Sequence, residues 1–293
     1  KVKGRFDSAV RKIALATAVR WTGWGFAEPL LPIFWFSFAH NYVDSGFIKI
    51  SYDLVLLIMV PLAAVLADRT SARNMIIFGL ILYPLIGAGH LAAGLFGIVA
   101  FTLAAQILNG VTYAADAVGR GTLLRRNVPA GSIGRALGYF DTVSMAGWTI
   151  AALIGAAAVT VLPLPWMFSA IIPTSLIALW IVSTIKPDVA PTQTPLTGRL
   201  WQKIVNSYQQ FLSAMRHWKG PMRHCAVSTA GTEMLNVMSD FIIPIFSFGT
   251  GSNLSQVMII GAFANMPMLF GSRFGWLVDK NPRLIRAIAF ISS

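Results

Sequence analysis

Eight stretches of this chain run for roughly 20 residues each with little or no charge, the length an α-helix needs to cross a bilayer's hydrocarbon core. They fall at 13–38, 52–67, 75–94, 97–119, 136–161, 165–185, 223–248 and 255–277, here spans 1 to 8. A ninth begins near residue 284 and meets Ser293. With 56% hydrophobic and 12% charged residues the chain is too apolar for an ordinary soluble domain. The expected fold is all-α, a polytopic membrane helix bundle with further helices after Ser293.

A net charge of +12 raises the question of nucleic acid, and placement answers it. With spans numbered alternately out of and into the cytoplasm, 21 of the 23 Lys and Arg residues fall on inner segments or, as Arg223 and Arg273 do, in the inner ends of spans; only Arg20 and Lys49 do not. That asymmetry orients a membrane protein with its N-terminus in the cytoplasm, here at the plasma or inner membrane. The charge concerns topology, and no nucleic-acid partner is expected. The one cysteine, Cys225, permits no internal disulfide. Residues 1–12 are basic but lead into a span too long for a signal-peptide core.

The chain is expected to divide into an N-terminal six-helix bundle over 1–185, a cytoplasmic linker over 186–222, and the start of a second, incomplete bundle over 223–293. The linker opens with Pro187, Pro191 and Pro195 among threonines. It continues through Leu200, Trp201, Ile204, Val205, Tyr208, Phe211, Leu212 and Met215 at helical spacing, a basic amphipathic helix resting on the inner face. The two halves repeat each other. Glu28 and Asp240 each stand four residues ahead of Pro-Ile-Phe, 212 positions apart. Leu66, Asp68 and Arg69 are answered 211 positions later by Leu277, Asp279 and Lys280. A duplicated helix–charged turn–helix is the mark of a parallel repeat.

Those turns resemble the loop between spans 2 and 3 of the major facilitator superfamily of secondary transporters. Its motif, Gly-x-Leu-Ala-Asp-Arg-x-Gly followed by two basic residues, appears here as Leu66-Ala67-Asp68-Arg69 with Arg73, both glycines replaced. The second copy keeps Gly275, Leu277, Asp279, Lys280 and Arg283. Gly138, Gly147 and Gly155 of span 5 match the family's antiporter motif, although Ala151-Ala152 replaces its Gly-Pro. The resemblance implies two pseudo-symmetric six-helix halves. It also implies an inner gate locked by Asp68, through charge pairs and a helix terminus of the other half, with Arg69 and Arg73 in the same network.

Ionisable residues within a bilayer cost about 2.5–3.5 kcal/mol each on insertion scales and usually face a bundle interior or a cavity. In span 4, Gln106, Asn109, Tyr113, Asp116 and Arg120 fall within about 80° of one helix face. Span 1 shows Thr17, Arg20, Trp24 and Glu28; span 7 shows Thr229, Glu233, Asn236 and Asp240. Spans 1, 4 and 7 are therefore expected to line a central path, while the charge-free spans 3 and 6 face lipid. Asp141 of span 5 joins the candidates. Plainer readings stand beside these. Asp116 and Arg120 are spaced as a self-neutralising i,i+4 pair. Arg20 can snorkel to headgroups, and Asp141 can partner Arg120 or Arg135. Asp53, His40 and His90 near the outer boundary are expected to be solvated or interfacial. Trp35, Trp166 and Trp276 suit interfacial belts, whereas Trp24 and Trp148 can stack on substrate.

The reading is a secondary transporter moving a small solute by alternating access, with the bilayer, the solute and protons as its partners, working as a monomer. A transport-inactive receptor or scaffold of the same build is the alternative. No His/Glu metal spacing, Gly-x-Ser-x-Gly or nucleotide-binding glycine loop is present, so neither enzyme activity, cofactor nor metal is expected. Carboxyls on spans 1 and 7 favour a cationic or proton-exchanged substrate, while Arg20 and Arg120 point the other way. Glu28 and Asp240 are the expected proton-coupling pair, since a partly desolvated carboxyl favours its neutral form. Glu233, about 10 Å from Asp240 along the helix, is their relay.

Overall fold

The computed structural model describes residues 7–39, 41–67, 69–187, 202, 205–206, 208–209, 213, 231, 234 and 236–280. Asp68, Glu233, Arg283, His40, Thr229, Cys225 and most of the linker lie outside them. Among the described residues every regular element is helical, and no strand occurs. Within the expected amphipathic helix, residues 202, 205–206, 208–209 and 213 are helical.

Spans 1 and 7 are each broken at their repeated acid. Span 1 runs as Ser8–Gly25, a 3-10 turn at Glu28–Leu30, and a second helix Leu31–Ala39. Span 7 passes through a π-helical turn at Met238–Ile242 before Ile243–Gly249. The cause is shared. Pro32 and Pro244 lack an N–H and their rings crowd the carbonyl four residues back, which belongs to Glu28 and Asp240 respectively. Each acid thus sits where the helical ladder is interrupted.

Span 2 is longer than expected. The polar stretch 40–51, left between the expected spans 1 and 2, is helical from Tyr42, and one helix runs Tyr42–Ala67. Asn41 starts it: its side-chain oxygen accepts from the Asp44 N–H at 2.8 Å, closing the first turn. Span 3, Ala72–Phe96, is capped at its start by the Ser71 hydroxyl and ends at Gly97 with φ 68°, a left-handed position suited to glycine. Span 4, Val99–Asn127, carries Arg125 and Arg126 in its last turn, where cations meet the negative end of the helix dipole. Span 5 is Ile133–Ala158. Span 6 comprises Leu164–Met167, Phe168–Ala170 and Ile171–Ser183. Span 8 comprises Leu254–Ala264, Met266–Phe270 and Gly271–Lys280.

Span 1 packs against spans 5 and 6, span 4 against spans 2 and 3, and span 5 also against span 8. Small residues let the backbones touch, as they do in membrane bundles generally. A Cβ on Gly25 would stand 2.2 Å from the Trp148 carbonyl, and one on Gly138 would stand 2.2 Å from that of Gly271. Gly147 meets the Ala18 carbonyl and Gly155 that of Phe26. The glycines of the antiporter-like pattern are therefore the points where span 5 meets spans 1 and 8.

Five described helices are long and apolar enough to cross a membrane. Spans 3 and 6 are two-faced rather than wholly lipid-facing. Phe78, Ile81 and Leu85 of span 3 are exposed, while Tyr83, Ile86 and His90 on its other side are fully buried. In span 6, Leu176, Ile177 and Trp180 are exposed and Ile171, Ser175 and Ala178 buried. Lack of charge marked these spans as touching lipid without telling how much of each does.

Candidate functional site

Two arginines meet on one buried carboxylate. Arg20 of span 1 approaches Asp116 Oδ2 through Nη2 at 3.1 Å, and Arg120, one turn further along span 4, approaches the same oxygen through Nε at 3.0 Å. Arg20 and Asp116 are each 2% exposed. The Arg20 guanidinium also donates to the Tyr83 hydroxyl and lies 4.7 Å from that ring's centroid, tying in span 3. Arg20 thus turns into the bundle instead of snorkelling. Asp116 pairs with Arg120 as its spacing allows, but half of its duty is to the arginine on span 1. Charges so deep persist only when paired.

A cavity of about 490 Å³ lies on the other side of these groups. Its wall includes Arg20, Trp24 and Glu28 from span 1, and Gln106, Asn109, Tyr113 and Arg120 from span 4. Asn236 and Asp240 contribute from span 7 and Asp141 from span 5. Asp116 stands behind the arginines. Span 2 adds Lys49, Tyr52 and Asp53, span 5 adds Phe140, Ser144 and Trp148, span 3 adds Tyr83 and span 8 adds Asn265. More spans than 1, 4 and 7 therefore shape the path.

Glu28 Oε2 accepts a hydrogen bond from Trp148 Nε1 at 2.6 Å. A donor on a neighbouring helix thus satisfies one oxygen of this acid, and Trp148 is fixed by that bond with only 4% of its surface exposed. Asp240 lies close enough to act electrostatically on Glu28. The two repeated acids face one cavity. At its rim, Lys49 Nζ contacts both oxygens of Asp53 at 2.8 Å, an exposed i,i+4 pair. Asp53 is solvent-accessible as expected, yet it belongs to the wall.

Behind the cavity sits a layer that the sequence did not reveal. His90 is fully buried between Phe34 and Phe168, not interfacial. Its Nδ1 is 2.8 Å from the Thr102 hydroxyl and its Nε2 is 3.2 Å from Gln106 Nε2. Trp35 Nε1 donates to the same hydroxyl at 3.2 Å and is likewise buried, not part of a belt. With the amide nitrogen donating to Nε2, the His90 proton resides on Nδ1 and is given to Thr102. Tyr83 and His90 stand seven apart on one helix face, a signal that a search for charge alone passes over. Trp166 and Trp276 are exposed, in keeping with interfacial positions.

The far end is closed by contacts between span 5 and span 8. Asp279 accepts the backbone N–H groups of Gly134 at 3.0 Å and Arg135 at 2.7 Å, capping the first turn of span 5. Thr142 Oγ1 accepts from the Ser272 N–H at 2.8 Å, one turn inside the Gly138–Gly271 contact. Gly275 lies in the same helix as Asp279, and the Lys280 ammonium is 4.7 Å from the Trp276 ring centroid. In the first copy, the Arg69 N–H closes a turn onto the Leu66 carbonyl. Arg73 Nη2 donates to the Ser183 carbonyl at 2.7 Å, and Lys12 Nζ to that of Thr184 at 3.1 Å. Basic residues here cap the open carbonyl end of span 6. No group of His, Cys, Asp and Glu able to hold a metal occurs among the described residues.

Fold and site together define a multi-pass membrane helix bundle built around a charged, aromatic-walled cavity. The family model of the Major Facilitator Superfamily matches residues 13–293, and the chain belongs to that superfamily of membrane transporters. Among 31 matching chains of solved structures is the human organic anion transporter MFSD10 (TETRAN). It shares 13% sequence identity at a TM-score of 0.63, over 90% of this chain and 72% of that one. At such identity the likeness is one of fold. No curated protein matches the sequence.

Proposed function

We propose that the protein is a secondary active transporter that moves a small solute by alternating access, with proton movement coupled through Glu28 and Asp240. The observation that carries this is the polar cavity of about 490 Å³, bordered by Lys49 and Asp53 at one end and shut at the other by Asp279 on span 5. A cavity open on one side and latched on the other is what one facing state of such a carrier requires. Residues 1–185 form the first rocking half, 186–222 the linker, and 223–293 the start of the second half. Asp279 is the latch in this state, and Asp68, with Arg69 and Arg73, is its repeat-related partner. The N-terminus and the Asp279 end face the cytoplasm, because the basic residues gather there. The bilayer and a solute are its partners, no nucleic acid is needed, and it works as a monomer without catalysing covalent chemistry.

Glu28 and Asp240 suit proton coupling because each stands at a helix interruption facing one cavity, and a partly desolvated carboxyl tends toward its neutral form. Protonation in one facing state and release in the other biases the rocking equilibrium, with Glu233 as relay. The test is uptake of a panel of labelled solutes into proteoliposomes holding the purified protein, with and without a pH gradient. Glu28→Gln and Asp240→Asn should lose gradient-driven uptake while keeping exchange at equal pH. An unchanged response to the gradient in both variants would remove the coupling role. Binding without any uptake would favour a receptor of the same build.

A further inference from the structure

Among the described residues, every charged side chain in the cavity wall already has company. Arg20 and Arg120 share Asp116 from behind, and Lys49 holds Asp53. Asp141 is within electrostatic reach of Arg120. Glu28 accepts from the Trp148 indole and feels both Arg20 and Lys49, and Asp240 too has a partner. An organic ion of either sign must therefore shed its own water and compete with a partner already in place.

The neutral polar groups stand differently. The Ser144 hydroxyl of span 5 lines the cavity, is 2% exposed, and has no hydrogen-bond partner among the described residues. Buried polar groups are nearly always paired, so this one marks a place for a ligand to fill. Of the described carboxamides in the wall, Gln106 is tied to His90 and Asn265 to the Gly261 carbonyl. Asn109 of span 4 and Asn236 of span 7 each offer the same space a donor and an acceptor. One serine and two asparagines thus bring neutral hydrogen-bonding groups from both halves of the repeat. The apolar wall beside them is held in place. Trp148, one turn from Ser144, is fixed by Glu28, and Trp24 stands edge-on to Tyr83 with ring centroids 6.5 Å apart. Fixed indoles suit the carbon faces of a ring whose substituents hydrogen-bond.

We propose that the cavity takes an uncharged solute carrying several hydroxyl or amide groups, bound through Ser144, Asn109 and Asn236, and discriminates against charged derivatives of the same solute. This rests on the transport reading and names the substrate class of that site. The experiment measures equilibrium binding of labelled probes to the full chain in lipid nanodiscs, with empty discs subtracted. Two matched sets are used: glucose with glucosamine and glucuronate, and uridine with its 5′-amino and 5′-carboxylate derivatives. In at least one set the neutral member should bind saturably and at least tenfold more tightly than either ion. Ser144→Ala and Asn236→Ala should each weaken that binding at least fivefold. Ser144→Ala should leave the thermal unfolding midpoint where it was, since the hydroxyl has no protein partner to lose. Absence of saturable binding by both neutral probes overturns the proposal, as does an ion that binds as tightly as its neutral parent. Unchanged binding in both variants, or a lowered midpoint in Ser144→Ala, overturns it equally. Because binding is read without uptake, failure of transport with this selectivity intact would fall on the transport reading alone.

Discussion

Replacing Asp116 by Asn should be the most damaging single polar change in the bundle. The carboxylate forms ion pairs with two guanidinium groups at 3.1 and 3.0 Å, and Arg20 is 2% and Arg120 12% exposed. Asparagine keeps the volume and removes the charge, leaving two cations facing each other where water is scarce. Breaking a buried ion pair from one side costs about 3–5 kcal/mol. The Lys49–Asp53 pair offers an internal contrast: it is 24% and 47% exposed on its two members, and Asp53→Asn should cost at most about 1 kcal/mol. Denaturant unfolding in mixed micelles, followed by tryptophan fluorescence, reads both. A second variant separates charge from packing: Arg20→Met added to Asp116→Asn should recover about half of the loss, since one cation then has no like-charged neighbour. A cost under about 1 kcal/mol for Asp116→Asn, or further loss in the double variant, would refute the assignment of this cluster as a charge-balanced triad.

Gly138→Leu should shut span 5 away from span 8, because even a Cβ would stand 2.2 Å from the Gly271 carbonyl; labelling of a cysteine placed at Ser272 should then rise severalfold. Asp279→Asn should weaken the cap on span 5 by about 0.5–2 kcal/mol and raise labelling at the same site in the same direction. His90→Leu strands the Thr102 and Gln106 side chains in a dry pocket and should cost about 1–3 kcal/mol, with His90→Gln recovering part of it by thermal unfolding.

The parts of this structure set by composition along the helix axis could be read in advance. Apolar runs marked the spans, the repeated Pro-Ile-Phe marked the two halves though not the helix breaks that it causes, and polar spacing in span 4 put Gln106, Asn109, Tyr113 and Arg120 on one wall. What could not be read was which residues on different helices meet. Arg20 read as a residue able to snorkel, and only the fold, by bringing span 1 against Asp116 of span 4, turns it inward. His90 and Trp35 looked interfacial because depth along a helix says nothing about the face they occupy. The polar stretch before span 2, outside the apolar run, is helical because the Asn41 cap outweighs a run rich in Ser, Asp and Lys. Asp279, expected as the echo of a motif, is the residue whose cap on span 5 is visible.

The Arg20–Asp116 contact has a consequence for biosynthesis. Arg20 enters the membrane with span 1, but its counter-charge lies roughly 100 residues downstream. At synthesis rates of about 5–20 residues per second, the arginine waits on the order of 5–20 s for Asp116 to be made. An unpaired arginine at mid-helix penalises insertion by about 2.5–3.5 kcal/mol, so span 1 alone is a reluctant membrane segment. Span 1 should therefore linger at the insertion machinery and be released into lipid only with span 4, so that ribosome-bound chains ending before residue 116 remain extractable while longer ones do not.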